Sequence, residues 1–225
     1  MISIDEAIQN RHTVREYKKT PIPDDIAAQI RERIKELNAQ YGLEMRLVTG
    51  SGDAISFITK FVTTKNVNNY IVLAGRDAKD LEERLGYCGA DLMLMAQMLG
   101  LNSWWVGGTI NKGAARKTGH IPDGCRITGV IVLGYGETQG VPHKSKKAED
   151  IAKYYGDAPY WFVRGVGAVL LAPTALNRQD FKIRGDGKKV LIGTGGGAMA
   201  KTDLGIAKYF FEAGAGKENF VWNNE

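Results

Sequence analysis

The segment GADLMLMAQMLGL, residues 89–101, constrains this chain most. It is apolar nearly all round, with Gln97 as its interior polar residue, and it is too long for an ordinary strand. A helix with no polar face has to be buried on every side, so the segment predicts a central helix with other elements packed around it. Residues 23–40 predict a helix of the opposite kind. Ile26, Ile30, Ile34 and Leu37 fall at helical spacing with charges on the other face, and Gly42 follows as a stop.

Three β-rich runs surround the central helix in sequence, at Met45–Thr49, Tyr70–Ala74 and Ile127–Leu133. A polar stretch, residues 134–157, then reads as a surface connection. After it the pattern restarts with a helix in residues 159–173, turn residues at 174–181, a strand KVLIGT at 189–194, a glycine run, and an apolar helix DLGIAKYFFEAG at 203–214. Helix, strand and apolar helix thus recur in the same order. Asp91-Leu92 opens one apolar helix, and Asp203-Leu204 opens the other. The order predicts a degenerate internal duplication within a single domain, residues 1–225. Its first pseudo-repeat runs over about 1–137, its linker over about 138–154 and its second pseudo-repeat over about 155–225.

Composition removes several classes of function. Hydrophobic residues make up 44% of the 225 and charged ones 24%, ordinary globular values that allow a core without disulfide or metal staples. Cys88 and Cys125 lie far apart and form no CxxC pair, which reads as reduced, intracellular usage. No apolar run reaches the roughly 18 residues of a membrane span, and the opening MISIDEAIQNRH has no signal pattern, so a cytoplasmic location is expected. The net charge of +5 suits an anionic ligand. No basic stripe with interleaved aromatics suggests nucleic acid, and phosphate on a small molecule serves the charge equally well.

Two glycine motifs fail their context tests. Lys189–Thr202 misses a phosphate-binding P-loop because Ala200 stands where glycine should precede Lys201, and too little chain follows for the magnesium-binding acid. A nucleoside triphosphate site on Lys201 nevertheless stays as a rival. Gly193, Gly195 and Ala198 have dinucleotide-turn spacing without the acidic second strand, so a flexible glycine loop is the plainer reading. His12, His120 and His143 show no metal-ligand spacing, and no nucleophile elbow or Cys/His pair occurs.

What remains is a set of phosphate- and ring-binding signals. Arg11 and Arg15 bracket Thr13, with His12 between, an arrangement that can grip a phosphate with guanidinium forks and a hydroxyl. Lys144 and Lys146 offer a second cationic group. Pro173, Thr174, Ala175 and Asn177, followed by Gln179, suit a loop lying against a flat polar ring. Leu99-Gly100-Leu101 leads to Trp105-Val106-Gly107-Gly108, where glycine lets the backbone approach a ligand closely. Trp104 and Trp105 read either as packing residues or as walls of a pocket.

Together these motifs resemble the FMN-dependent nitroreductase family, over most of the chain. The resemblance implies an α+β fold, a sandwich with a mainly antiparallel sheet and buried central helices. It implies FMN as cofactor, NAD(P)H as electron donor, and a nitroaromatic, quinone or similar small acceptor. Arg11, His12, Thr13, Arg15, Lys144 and Lys146 would meet the phosphate end. Pro173, Thr174, Ala175 and Asn177 would face the ring, and the Gly107 backbone, beside Gly108, would reach N5. No side chain is expected to act as a catalyst, since the cofactor carries the chemistry, and no metal is expected.

The order of motifs departs from that family. Its members are intertwined homodimers with the arginine motif from one subunit and the Pro-Ser-x-x-Asn loop from the other; the loop follows the first helix. Here that place holds NAQYGLEMRLV, and the loop comes in the second half. The chain therefore resembles a fused tandem branch of the family, a monomeric pseudo-dimer with two fused pseudo-repeats and one composite flavin site. A protein that binds flavin or senses its redox state without turnover would carry the same residues.

Overall fold

The computed structural model describes residues 1–223, apart from the side chains at positions 58, 60 and 61. Ser3 and Glu6 cap each other reciprocally and so start α1 (Ile4–Asn10). The amphipathic run forms α2 (Asp24–Tyr41), burying Ala27, Ile30, Ile34 and Leu37, and Gly42 ends it at φ 62°. The first half continues with β1 (Arg46–Thr49), α3 (Phe57–Thr63), β2 (Asn69–Arg76), α4 (Leu81–Met98), β3 (Asn102–Val106), α5 (Lys112–Gly119) and β4 (Cys125–Gly134).

These strands make an antiparallel sheet in the order β1-β2-β4-β3, with Tyr70 opposite Val132 and Trp105 opposite Ile131. Both faces of the sheet are covered. Ile71, Leu73, Ile131 and Leu133 pack with α2 and α4 on one side. Tyr70, Val72, Val130 and Val132 pack with Ile55 and Ile121 on the other. Two covered faces explain why β2 and β4 read as continuous apolar runs and not as alternating ones.

The all-apolar segment is a buried helix, but it starts earlier than its composition suggested. α4 begins at Leu81, because Leu81 and Leu85 already continue its core face. Asp91 consequently lies mid-helix and does not open it. It is a second interior polar group beside Gln97, and the Arg33 guanidinium holds it with bonds of 2.9 and 2.7 Å.

The second half contains α6 (Ala148–Ile151), β5 (Ala152–Tyr155), α7 (Tyr160–Leu171), β6 (Phe181–Asp186), β7 (Lys189–Thr194), α8 (Ala200–Ala215) and β8 (Val221–Trp222). β7 coincides with the KVLIGT run. The second sheet has the order β5-β6-β7-β8; its central pair is antiparallel and its two outer pairs are parallel. An aromatic core of Phe162, Phe181, Phe211 and Phe220 fills the space between this sheet and helices α7 and α8.

The halves share a helical layer. Ala7, Ala90, Leu94, Ala168, Ile206 and Phe210 join α1, α4, α7 and α8 in one buried cluster. α4 and α8 cross on glycines. A Cβ on Gly86 would stand 2.2 Å from the Thr202 carbonyl oxygen, and one on Gly205 would stand 1.9 Å from that of Glu83. The result is a sandwich of two sheets around paired central helices, an α+β fold with the antiparallel first sheet that the sequence implied. Among the described residues no helix is long and apolar enough to cross a membrane.

Candidate functional site

Arg11 leaves the end of α1, and the chain after it is strapped along the free edge of β3. Thr13 bridges Ser103, and Val14 N–H donates to the Ser103 carbonyl at 3.2 Å. Val14 and Tyr17 are buried as anchors, and the Tyr17 hydroxyl donates to the Val14 carbonyl at 2.6 Å. Between these anchors Arg15 lies over the Trp104 ring, 5.4 Å from its centroid.

Arg11 is only 3% exposed, yet its guanidinium has almost nothing to bind. One N–H reaches the Leu171 carbonyl at 3.5 Å, and Nε is buried with no partner. Burial pulls its pKa down to about 10, with no carboxylate to offset the loss of water. Burying an unpaired cation costs several kcal/mol. A group held at that cost and lining a cavity fits an anionic ligand.

The cavity has a volume of about 660 Å³ and lies between the two halves. It collects nine of the twelve residues singled out in the sequence: Arg11, Thr13, Arg15, Gly107, Gly108, Pro173, Thr174, Ala175 and Asn177. His12, Lys144 and Lys146 do not line it. His12 is half-buried beside the strap, where burial, then Arg11 and His143, lower its pKa.

The contacts of Lys144 and Lys146 run to the 173–179 loop. The Lys144 carbonyl accepts from Asn177 Nδ2 at 2.9 Å and from Gln179 Nε2 at 2.8 Å. Lys146 N–H donates to Gln179 Oε1 at 2.9 Å, and its ammonium donates to the Gln179 carbonyl at 3.1 Å. This segment braces the 173–179 loop from behind, and the Asn177 amide nitrogen is spent on that brace.

Sequence reasoning passed over several cavity residues. Asp203, in the first turn of α8, accepts the Ala175 N–H on both carboxylate oxygens, at 3.1 and 3.2 Å. Met199 sits at φ 70° at the start of α8, and its methyl is 2.6 Å from where a Gly107 Cβ would stand. The end of the glycine loop, Ala198 and Met199, is therefore part of the cavity wall. Lys201 donates to the Lys79 carbonyl at 2.9 Å, so the near-P-loop lysine ties down the turn before α4. Only the doublet Asp203-Leu204 and the glycine run signalled this wall, and neither says which way a side chain faces.

Burial raises the Asp203 carboxyl to about 6, against the Ala175 N–H and then Arg178, which favour its charge. A carboxyl raised on folding binds more protons folded than unfolded, so stability should fall as pH rises from about 4 through about 6. Asp203→Asn keeps an oxygen for Ala175 and removes the titration. Thermal melts should show the variant gaining on the parent across that window and holding its lead above it; parallel curves would mean Asp203 does not titrate there.

Comparison with known proteins bears on the family and the fold. Residues 3–215 match the family model described as "Putative TM nitroreductase". A solved structure of a "putative nitroreductase" from Thermotoga maritima shares 24% identity over 94% of this chain and 83% of that one, with a TM-score of 0.69. A "Putative NADH dehydrogenase/NAD(P)H nitroreductase" from Parabacteroides distasonis shares 20% over 67% of this chain and 97% of its own, at 0.52. An "FMN-dependent Nitroreductase" from Clostridium difficile shares 17% over 64% and 92%, at 0.50. No curated protein matches the chain. The structural likenesses establish the fold, and the family model, spanning nearly the whole sequence, places the chain in the nitroreductase family.

Proposed function

We propose that this protein is an FMN-dependent oxidoreductase with one composite flavin site per chain, taking electrons from NAD(P)H and passing them to a nitroaromatic, quinone or similar small acceptor. The single observation that carries this reading is Arg11, a buried guanidinium without a counter-charge in the wall of the cavity. It fits the phosphate of FMN, with Thr13 and Arg15 on the same strap as further donors. When bound, FMN supplies the hydride and electron chemistry. This chain's residues bind and orient the cofactor: Gly107 and Gly108 bring bare backbone to one end of the cavity, and Pro173, Thr174 and Ala175 wall it from the other half. The strap along β3 and the braced loop fix those walls before any ligand arrives, which lowers the cost of ordering them on binding.

The contacts at the helix crossing support the pseudo-dimer. One residue offset carries Asp80, the residue before α4, onto Met199, the residue before α8; the same offset carries Glu83 onto Thr202 and Gly86 onto Gly205. Gly86 against Thr202 and Gly205 against Glu83 are then the same contact made twice, as in a two-fold interface. The parallel outer pairs of the second sheet mark how far the copies have diverged. That the Parabacteroides chain, nearly whole, covers only 67% of this one also suits a protomer fused to a shortened partner. A chain that completes its own site works as a monomer.

Flavin released by denaturation and counted against protein tests this reading. One FMN per chain is expected, bleaching on anaerobic addition of NADH or NADPH and recovering on addition of a nitroarene. Two per chain would sink the single site, and none after reconstitution would sink the flavin reading. Reduced flavin that no acceptor reoxidises would instead mark a protein that binds flavin without turnover.

A further inference from the structure

The loop after α7 is strained and at the same time over-determined. Leu176, Asn177 and Gln179 take φ of 55°, 54° and 46°, a left-handed region that costs a non-glycine residue on the order of 1 kcal/mol or more. Besides the brace from Lys144 and Lys146, Thr174 Oγ1 accepts the Gln179 N–H at 3.1 Å, and Asp203 holds the Ala175 N–H. Polar residues of the loop are thus consumed internally, and two side chains are left over. Leu176 is 87% exposed, and Arg178 is exposed with no hydrogen bond or ion pair from its guanidinium among the described residues. Both line the cavity.

Arg178 enters the cavity from the second half, while the arginine strap belongs to the first. Its Nη1 lies 3.2 Å from the position a Cβ on Gly197 would take. Met199, two residues on, abuts Gly107. The guanidinium therefore sits beside the Gly197–Met199 segment, a wall separate in sequence from the strap that carries Arg11 and Arg15. Asp203, whose charge acts on Arg178, makes no ion pair with it and shares the Ala175 N–H between its two oxygens.

We propose that Leu176 and Arg178 are the recognition pair for the electron acceptor, and that the acceptor is a flat conjugated molecule bearing an anionic substituent, such as a carboxylate. The inference rests on the flavin reading above and narrows its substrate. Leu176 offers apolar contact to the flat body, and Arg178 offers a two-pronged donor that a carboxylate matches in geometry as well as charge. The strain held in the loop keeps both side chains at the mouth in the absence of ligand.

The test compares 4-nitrobenzoate with 4-nitrobenzamide as oxidants of the reduced FMN-loaded protein. Calorimetry with benzoate and benzamide, which carry no reducible nitro group, reads binding alone. The parent protein is expected to favour the anion about tenfold in both readouts, roughly 1.4 kcal/mol. Arg178→Ala should bring both ratios to about one, Arg178→Lys should restore part of them, and FMN affinity should stay unchanged in each variant. Leu176→Gly should weaken anion and amide alike without lowering the melting temperature, since glycine tolerates that φ. No anion preference in the parent, a preference that survives Arg178→Ala, loss of FMN from that variant, or ligand affinities unmoved by Leu176→Gly would each overturn the proposal. If the protein takes up no FMN, the proposed function falls by itself, and calorimetry on the flavin-free chain still decides whether Arg178 selects the anion.

Discussion

Arg11→Met is expected to stabilise the flavin-free protein and to remove most of its affinity for FMN. The two effects have opposite signs because the same charge is responsible for both. Without ligand the guanidinium is buried with one long hydrogen bond and an orphaned Nε, and nothing offsets its lost hydration. Methionine fills a similar volume with no charge to desolvate, and replacing poorly compensated buried charges by apolar groups gains about 1–4 kcal/mol. With the ligand bound, the variant leaves a phosphate facing an apolar wall. Losing one partner of a desolvated charge pair costs about 2–5 kcal/mol, which is at least a thirtyfold rise in the dissociation constant. Melting of the flavin-free protein and titration with FMN read the two effects separately. A destabilised variant that still binds FMN would make Arg11 a structural residue and remove the main support for the proposed function.

The second large effect lies at the crossing of the central helices. Gly205→Val should prevent folding or cost about 3 kcal/mol or more, beyond ordinary overpacking, because the obstacle is backbone. A Cβ there would stand 1.9 Å from the Glu83 carbonyl oxygen, and relief would require the two helices to move apart. That movement would open the cluster of Ala90, Leu94, Ile206 and Phe210 that joins the halves. Gly86→Val meets the Thr202 carbonyl in the same way and should fail similarly. Gly167→Ala in α7 is the control, since nothing lies within 4 Å of its added methyl. It should stabilise the protein by about 1 kcal/mol through helix propensity alone. Equal effects from Gly205→Val and Gly167→Ala in chemical denaturation would mean the crossing is looser than the contact implies.

These expectations separate what could be read along the chain from what could not. Patterns of short period were legible: the stripe of α2, its glycine stop, the apolar runs of β2 and β4, and β7. Each depends on neighbours within a few residues, so local spacing reports them. The start of α4 was not legible, because Leu81 and Leu85 show their role only once a sheet lies beneath them. Asp91 looked like a helix opener for the same reason; its partner Arg33 lies on another helix.

For the site, the amino-acid sequence determined which residue types were available: two arginines around a threonine, a loop rich in small residues and amides, and a glycine pair after a strand. Tertiary structure decided what each one does. It brought nine of those positions to one cavity, turned the Lys144–Lys146 segment into a brace, and sent Lys201 to the turn before α4. It also brought Met199, Arg178 and Asp203 into the cavity, the last of which the sequence marked only as the opening of a helix. The physical reason is that charge and shape become binding energy only where water has been removed and a direction fixed. Both conditions are set by residues far away in the chain.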